Sequence, residues 1–210
     1  EGEPVNLESA ENCNDWVEIW NNVFMQYEKK SDGTYIPLKQ KNVDTGMGVE
    51  RTTAILNGKK SIYETDAFSE IFKKVNELSK SDDEVSKRII CDHVRASTFI
   101  LGDQRCITPS NVDQGYVLRK LIRRAIRKGK KIGMNEPFLV SLSRIVIEQY
   151  SKEYSELEQN QNFIEKYLGL EEEKFNKILN EGQKVSFKEI EKISDVNEKI
   201  NVSGLEVLKA

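Results

Sequence analysis

The sequence predicts an α+β protein: a small antiparallel β segment followed by a mostly α-helical remainder. Residues 16–47 concentrate aromatic and β-branched side chains, in WVEIWNNVFMQYE and YIPL, around a turn-forming SDGT at 31–34. After about Gly48 the apolar residues instead recur three and four apart, the period of an α-helix. A chain of 210 residues is long enough for one large or two small domains, each with its own core.

Taken in order, the first element is a hairpin, followed by a further short strand near Val43. A short helix over 51–56 is closed by Asn57-Gly58, and a domain boundary near Gly58 separates residues 1–58 from 59–210. Thr65 or Asp66 caps a helix whose core face is Phe68, Ile71, Phe72, Val75 and Leu78. Ser81-Asp82-Asp83 opens the next, with Val85, Ile89, Val94, Phe99 and Ile100 along one side. A loop over 102–108 leads to a basic helix. There Ser110, with Asp113 three residues on, reads as a capping box, and Gly129 as the stop. From Glu136 onward the pattern gives one moderate helix and two long charged ones, near 154–168 and 170–192. Phe175, Ile178, Leu179 and Val185 form the apolar edge of the last, and Gly182 interrupts it mildly.

Charge is distributed unevenly. Residues 1–86 carry 10 basic and 17 acidic side chains, a net of −7; residues 87–131 carry 12 and 3, a net of +9; residues 132–210 carry 10 and 15, a net of −5. The excess sits in PSNVDQGYVLRKLIRRAIRKGKK at 109–131. Val117, Leu118, Leu121, Ile122, Ala125 and Ile126 make an apolar stripe. Arg119, Lys120, Arg123, Arg124, Arg127 and Lys128 therefore face the other way, and Lys130 and Lys131 extend the row. No acid lies between Gln114 and Asn135, so the helix itself offers little neutralisation. A single-signed row of this kind serves a phosphate backbone, or else the acidic face of a partner protein.

The second chemical signal is VDTGMGVER at 43–51. Gly46 and Gly48 lack Cβ atoms and admit a ligand close to the backbone, while Arg51 at the strand-to-helix junction is placed to meet a phosphate. Asp44 has the charge to hold an ammonium group. Three cysteines (Cys13, Cys91, Cys106) without zinc-like spacing, and the lone His93, do not make a metal site. They read as reduced thiols of a cytoplasmic protein. No apolar run approaches the ~20 residues of a membrane span, and no signal peptide is present. The first residue is Glu1 rather than Met, which reads as an excised fragment.

EIWNNVFMQY at 18–27, VDTGMGVER at 43–51, CDHVRASTFILGD at 91–103 and PSNVDQGYVLRKLIRRAIRKG at 109–129 resemble, in order, the alanyl-tRNA synthetases. VDTGMGVER is similar to the third signature of class II synthetases in its alanine-specific form. The resemblance implies that residues 1–58 are the end of a class II aminoacylation domain and residues 59–210 most of a helical tRNA-recognition domain. The parent reaction would join alanine to tRNA-Ala at the expense of ATP, with Mg²⁺. Asn21 would hold the alanine carboxylate and Asp44 its ammonium, with Val23 and Gly46 lining the methyl pocket. Gly48 would allow close approach of the nucleotide, and Arg51 would contact the ATP γ-phosphate.

Asn111 would read the G·U wobble pair of the acceptor stem, where the guanine 2-amino group projects into the shallow minor groove. Arg119, Arg123, Arg124 and Arg127 would grip stem phosphates. Two departures qualify the match. The family's first two class II signatures are not found here, so this chain alone is expected to lack ligase activity and to hold no cofactor tightly. The stretch NVSGLEVLKA at 201–210 stops short of the Asp that partners the wobble-reading Asn, and the editing zinc site has no counterpart. The alternative is a stand-alone tRNA- or RNA-binding synthetase paralogue without ligase activity.

Overall fold

The structure is a computed structural model that describes residues 17–196, with side chains through residue 182. It is α+β and divides into two compact units, Glu1–Ser69 and Glu70–Ala210.

In the first unit, β1 (Trp20–Lys29) and β2 (Tyr35–Met47) form a two-stranded antiparallel sheet. The turn forms where Asp32 Oδ1 accepts from Thr34 N and Oγ1, at 2.9 and 2.7 Å, and Gly33 takes φ +87°. Val43 lies inside β2, paired with Phe24, so the separate strand expected there is the continuation of β2. The reason is an irregularity: Met25 pairs with Asn42 but Tyr27 with Pro37, so β2 takes five steps while β1 takes two. The polar KQK at 39–41 falls in that bulge and breaks the apolar pattern without ending the strand. α1 (Val49–Leu56) follows at once, starting at the Gly48 N-cap and closing at Asn57, with Gly58 at φ +63°.

The second unit is helical. α2 (Ser69–Leu78) buries Ile71 and Val75, as its spacing requires, and leaves Phe72 and Leu78 half-buried. α3 (Glu84–Gly102) is capped by Asp83, whose carboxylate accepts from Ser86 N at 3.0 Å. Its buried face is turned partly away from the expected one: Val94 is buried and Ile89, Phe99 and Ile100 are half-buried. Val85 is exposed, and the core side is Ser86, Ile90, Cys91, Val94, Ser97, Thr98 and Leu101. α3 packs along α4 (Asp113–Lys131). Burial drives the thiol of Cys91 up to about 12, which makes it an inert core residue.

α4 departs from expectation at both ends. Ser110 does not cap it; its hydroxyl donates to Val112 O at 2.9 Å and organises the preceding turn, while Asp113 takes φ +48°. The turn lies so close that a Cβ on Gly115 would stand 2.3 Å from Ser110 Oγ. Gly129 is not the stop either. It is buried inside the helix, where a Cβ would be 2.5 Å from the Phe138 ring, and the chain turns instead at Gly133, φ +83°.

α5 (Leu139–Tyr150) and the short α6 (Ser155–Gln159) precede a single long helix, α7 (Gln161–Val196). The break expected near residue 169 thus falls at Asn160, whose Nδ2 donates to Gly102 O at 2.9 Å. Gly169 stays helical because a lone glycine costs only about 1 kcal/mol, less than the neighbouring burial of Ile164 and Leu168 returns. α7 packs on α5, α4 and α3. The expected edge residue Ile178 is exposed, and Val185 lies outside the described side chains.

Candidate functional site

The hairpin brings four of the expected site residues together through register alone. Asn21 pairs with Gly46 and Val23 with Asp44, in neighbouring antiparallel positions. Directly opposed residues share a face, as do residues two apart on one strand. Asn21, Val23, Asp44 and Gly46 therefore form one patch on a single face of the ribbon, all exposed. At Gly46 an added Cβ would meet Asn21 Oδ1 at 3.6 Å, so the bare glycine leaves space beside the Asn21 amide. Thr45 and Asn22 pair on the other face, Oγ1 to Oδ1 at 2.7 Å.

Gly48 and Arg51 sit at the end of this patch. Gly48 N donates to Ile19 O at 2.7 Å, anchoring the strand end. The Arg51 stem lies over Gly48, whose added Cβ would be 3.3 Å from Arg51 Cδ. Arg51 Nη1 donates to Glu18 O at 2.9 Å, which fixes the guanidinium and leaves its other N–H groups to meet an anion. The patch thus offers a carboxylate, an amide, a small apolar side chain and a fixed arginine.

The basic helix is less uniform than its sequence implies. Leu118, Ile122, Ala125, Ile126 and Gly129 form the buried stripe, whereas Val117 is 54% exposed and Leu121 half-buried. Burying each large aliphatic side chain of that stripe contributes roughly 1.5–3 kcal/mol. The row of cations is split in two by an acid from another helix. Glu171 on α7 is buried, with Oε1 2.6 Å from Arg123 Nε and 3.7 Å from Arg119 Nε. Arg123 also lies over the Phe175 ring, 5.0 Å from its centre. The expectation that the whole row faces away uncompensated is therefore corrected: Arg119 and Arg123 are tethered and half-buried. Lys131 pairs with Asp83 at 2.8 Å, and Lys130 Nζ donates to Asn135 O. Arg124 and Arg127 stay exposed, with no ion pair among the described residues.

Arg119 also reaches the turn ahead of the helix, where its Nη1 donates to Asn111 Oδ1. A guanidinium has only donors, so it is the amide oxygen of Asn111 that must face it. The side chain is left with one lone pair on Oδ1 and both Nδ2–H groups for other partners. Asn111, Arg119, Glu171 and Arg123 thus form one connected network. Next to Glu171, Glu172 is also buried and accepts from the first amides of α5, Phe138 N at 3.0 Å and Leu139 N at 3.2 Å. Burial raises its carboxyl above the usual range even against those two bonds.

The sequence profile described as tRNA synthetases class II (A) matches residues 2–209. The chain belongs to that family. Proteins named alanine--tRNA ligase are similar to it: that of Treponema pallidum (strain Nichols) is 49% identical over 177 residues, 81% of this chain and 29% of the relative. That of Borrelia hermsii (strain HS1 / DAH) is 48% identical over 188 residues, 87% of this chain and 32% of the relative. That of Treponema denticola (strain ATCC 35405) is 53% identical over 159 residues, 73% and 26%. The chain spans about a third or less of the length of the curated relatives it matches.

Class II synthetases use ATP, so a fixed arginine beside a glycine-rich strand end suits this family. Among the described residues no group of three His, Cys, Asp or Glu side chains is placed to hold a metal ion. No helix among them is long and apolar enough to cross a membrane. Glu171 carries no local signal, because EEE at 171–173 reads as a solvated acid run, and Phe175 reads in the sequence only as part of an apolar edge. Cys13 and residues 201–210 lie outside the described residues.

Proposed function

We propose that this chain is the acceptor-stem-binding part of an alanine--tRNA ligase, joined to the last strands of its catalytic domain. Residues 1–58 then belong to the aminoacylation domain and 59–210 to the tRNA-recognition domain. The whole protein would convert alanine and ATP to alanyl-adenylate and pass the alanyl group to tRNA-Ala, by positioning and charge stabilisation around phosphates. The hairpin supports the first step's binding groups: Asn21 for the alanine carboxylate, Asp44 for its ammonium, Val23 and Gly46 around its methyl group. Gly48 and Arg51 would meet ATP, with Mg²⁺ bound through the nucleotide.

The observation that carries the proposal is Asn111, held by Arg119 at the entrance of a helix whose outer face exposes Arg124 and Arg127, without an ion pair among the described residues. A hydrogen-bonding amide beside a phosphate grip is what reading one base pair of a duplex needs. Arg124 and Arg127 would contact phosphates, and Arg119 and Arg123 would position the reader. Binding of tRNA-Ala should weaken when the G·U pair becomes G·C, by about 1–3 kcal/mol for one lost base contact. Replacing Asn111 by Ala should remove that difference. Equal affinity for both stems in the unaltered chain would leave only a non-specific RNA grip. A docking surface for an acidic protein would likewise show no difference between the two stems.

A further inference from the structure

Two non-glycine residues among those described hold a left-handed backbone conformation, Cys106 at φ +50° and Asp113 at φ +48°. They bracket the stretch that carries Asn111: Cys106 follows the end of α3, and Asp113 opens α4. Such a residue persists only where the surrounding contacts over-determine it. At Asp113 nothing local offsets the strain. Its side chain is exposed, and no side chain caps this end of α4.

The contacts that impose the conformation come from the turn ahead of the helix. Val112 is extended, at φ −130° and ψ 155°, and after the left-handed step at Asp113 the chain returns so that Ser110 N donates to Gly115 O at 3.0 Å. Ser110 Oγ holds both ends of Val112, donating to its carbonyl at 2.9 Å and accepting from its amide at 3.3 Å. The missing side chain of Gly115 makes room for the turn, since an added Cβ would stand 2.5 Å from Thr108 O and 2.9 Å from Ser110 Cβ. Asn111 therefore sits between two fixed neighbours, with Arg119 on its amide oxygen.

We propose that Asp113 is a positioning residue for the base-pair reader: its left-handed backbone aims the Asn111 amide at the RNA acceptor stem and so sets how well G·U is told from G·C. The inference rests on the stem-reading proposal and adds to it the residue that fixes the angle of approach. Hydrogen bonds weaken steeply as they bend. A preference between two stems that share every phosphate therefore depends on a reading group held in place before contact. Arg119 fixes the rotation of the amide, and Asp113 fixes where the backbone beneath it stands. The carboxylate is not the acting group, because a negative charge there repels both stems alike.

Four substitutions at this exposed position separate backbone from charge. Asp113→Gly and Asp113→Asn accept a left-handed φ readily, Asp113→Ala less so and Asp113→Val least, and all four remove the carboxylate. For each, the affinity of the whole chain is measured for acceptor-stem duplexes carrying G·U and G·C, at several salt concentrations. Asp113→Gly and Asp113→Asn should keep the G·U preference of the unaltered chain. Asp113→Ala should reduce it, and Asp113→Val should reduce it by about fivefold. A valine that relaxes out of the left-handed well must be driven back to read the pair, which weakens only the G·U complex. The salt slope should not differ among the four, because Arg124 and Arg127 are untouched. A merely structural role would weaken both complexes by the same factor. A preference equal in all four variants, or lost as fully in Asp113→Gly and Asp113→Asn as in Asp113→Val, would overturn the inference and leave the stem reading standing. No preference in the unaltered chain would remove the stem reading, and this inference with it.

Discussion

The two units hold their candidate sites by different means. In the hairpin, Asn21, Val23, Asp44 and Gly46 are aligned by backbone pairing, and both faces of β1 and β2 are exposed, with Phe24 at 78% and Tyr35 at 64%. In the helical unit, Asn111 and its arginines are held by side chains that end on buried Glu171. Register can place residues without any core beneath them, although a two-stranded ribbon is at best marginally stable by itself. A side-chain network takes its fixed geometry from the core around it, and there the loss of one partner leaves a buried charge uncompensated. The hairpin site is therefore a matter of geometry, and the helical site a matter of electrostatics within packing.

Core truncation breaks the comparison most strongly. Ile122→Ala, in the buried stripe of α4, should destabilise the helical unit by about 2–5 kcal/mol. Phe24→Ala on the exposed ribbon should change stability by no more than about 0.5 kcal/mol. Urea denaturation followed by circular dichroism measures both, and equal losses would show that the ribbon is packed as tightly as the helices.

Glu171→Gln comes next. It leaves Arg119 and Arg123 without their counter-charge, at a cost of about 1–3 kcal/mol once their partial exposure is allowed for. The sharper readout is the Asn111 side-chain amide in a ¹⁵N spectrum, which should move when its Arg119 anchor is released. An unmoved Asn111 amide would separate the reader from the clamp.

The smallest effect is in pH dependence. The carboxyl of Glu172 is raised above its ordinary value of 4.5 by burial. Its contribution to stability is complete below that value and is lost as pH rises through the folded value. Glu172→Gln should therefore flatten the loss of stability on the alkaline side of 4.5. The Arg144 ion pair works in the opposite sense on Glu165, which it holds at about 2; that contribution is present above the ordinary range and is lost as pH falls through about 2. Urea midpoints measured across the acid range check both, and an unchanged slope in Glu172→Gln would assign the alkaline loss to other groups.

The sequence makes legible whatever depends on local periodicity and turn chemistry. The hairpin, the helix after Gly48, the Asp83 cap and the existence of α4 could all be read from it. It misleads where tertiary contact decides. Gly129 looks like a helix stop because nothing local announces the Phe138 ring against it. The buried face of α3 takes Ser86 and Thr98 and leaves Val85 exposed; their hydroxyls are satisfied locally, on Asp83 Oδ2 and Val94 O, so hydrophobicity alone does not pick out the face. The arginine row looks uniform because the acid that divides it is 48 residues beyond Arg123. The resemblance proposes Asn21, Val23, Asp44 and Gly46 as candidates, and the strand register puts these four on one face.

On the proposed function, the four arginines of α4 divide into an exposed pair, Arg124 and Arg127, that grips phosphate and a tethered pair, Arg119 and Arg123, that positions Asn111. The most direct measurement is the salt dependence of affinity for a tRNA-Ala acceptor-stem duplex. Replacing Arg124 and Arg127 together by Ala should reduce the slope of log affinity against log salt by about 2, whereas Asn111→Ala should lower affinity and leave the slope unchanged. A slope unaffected by the loss of Arg124 and Arg127, or reduced as much by Asn111→Ala, would contradict the division.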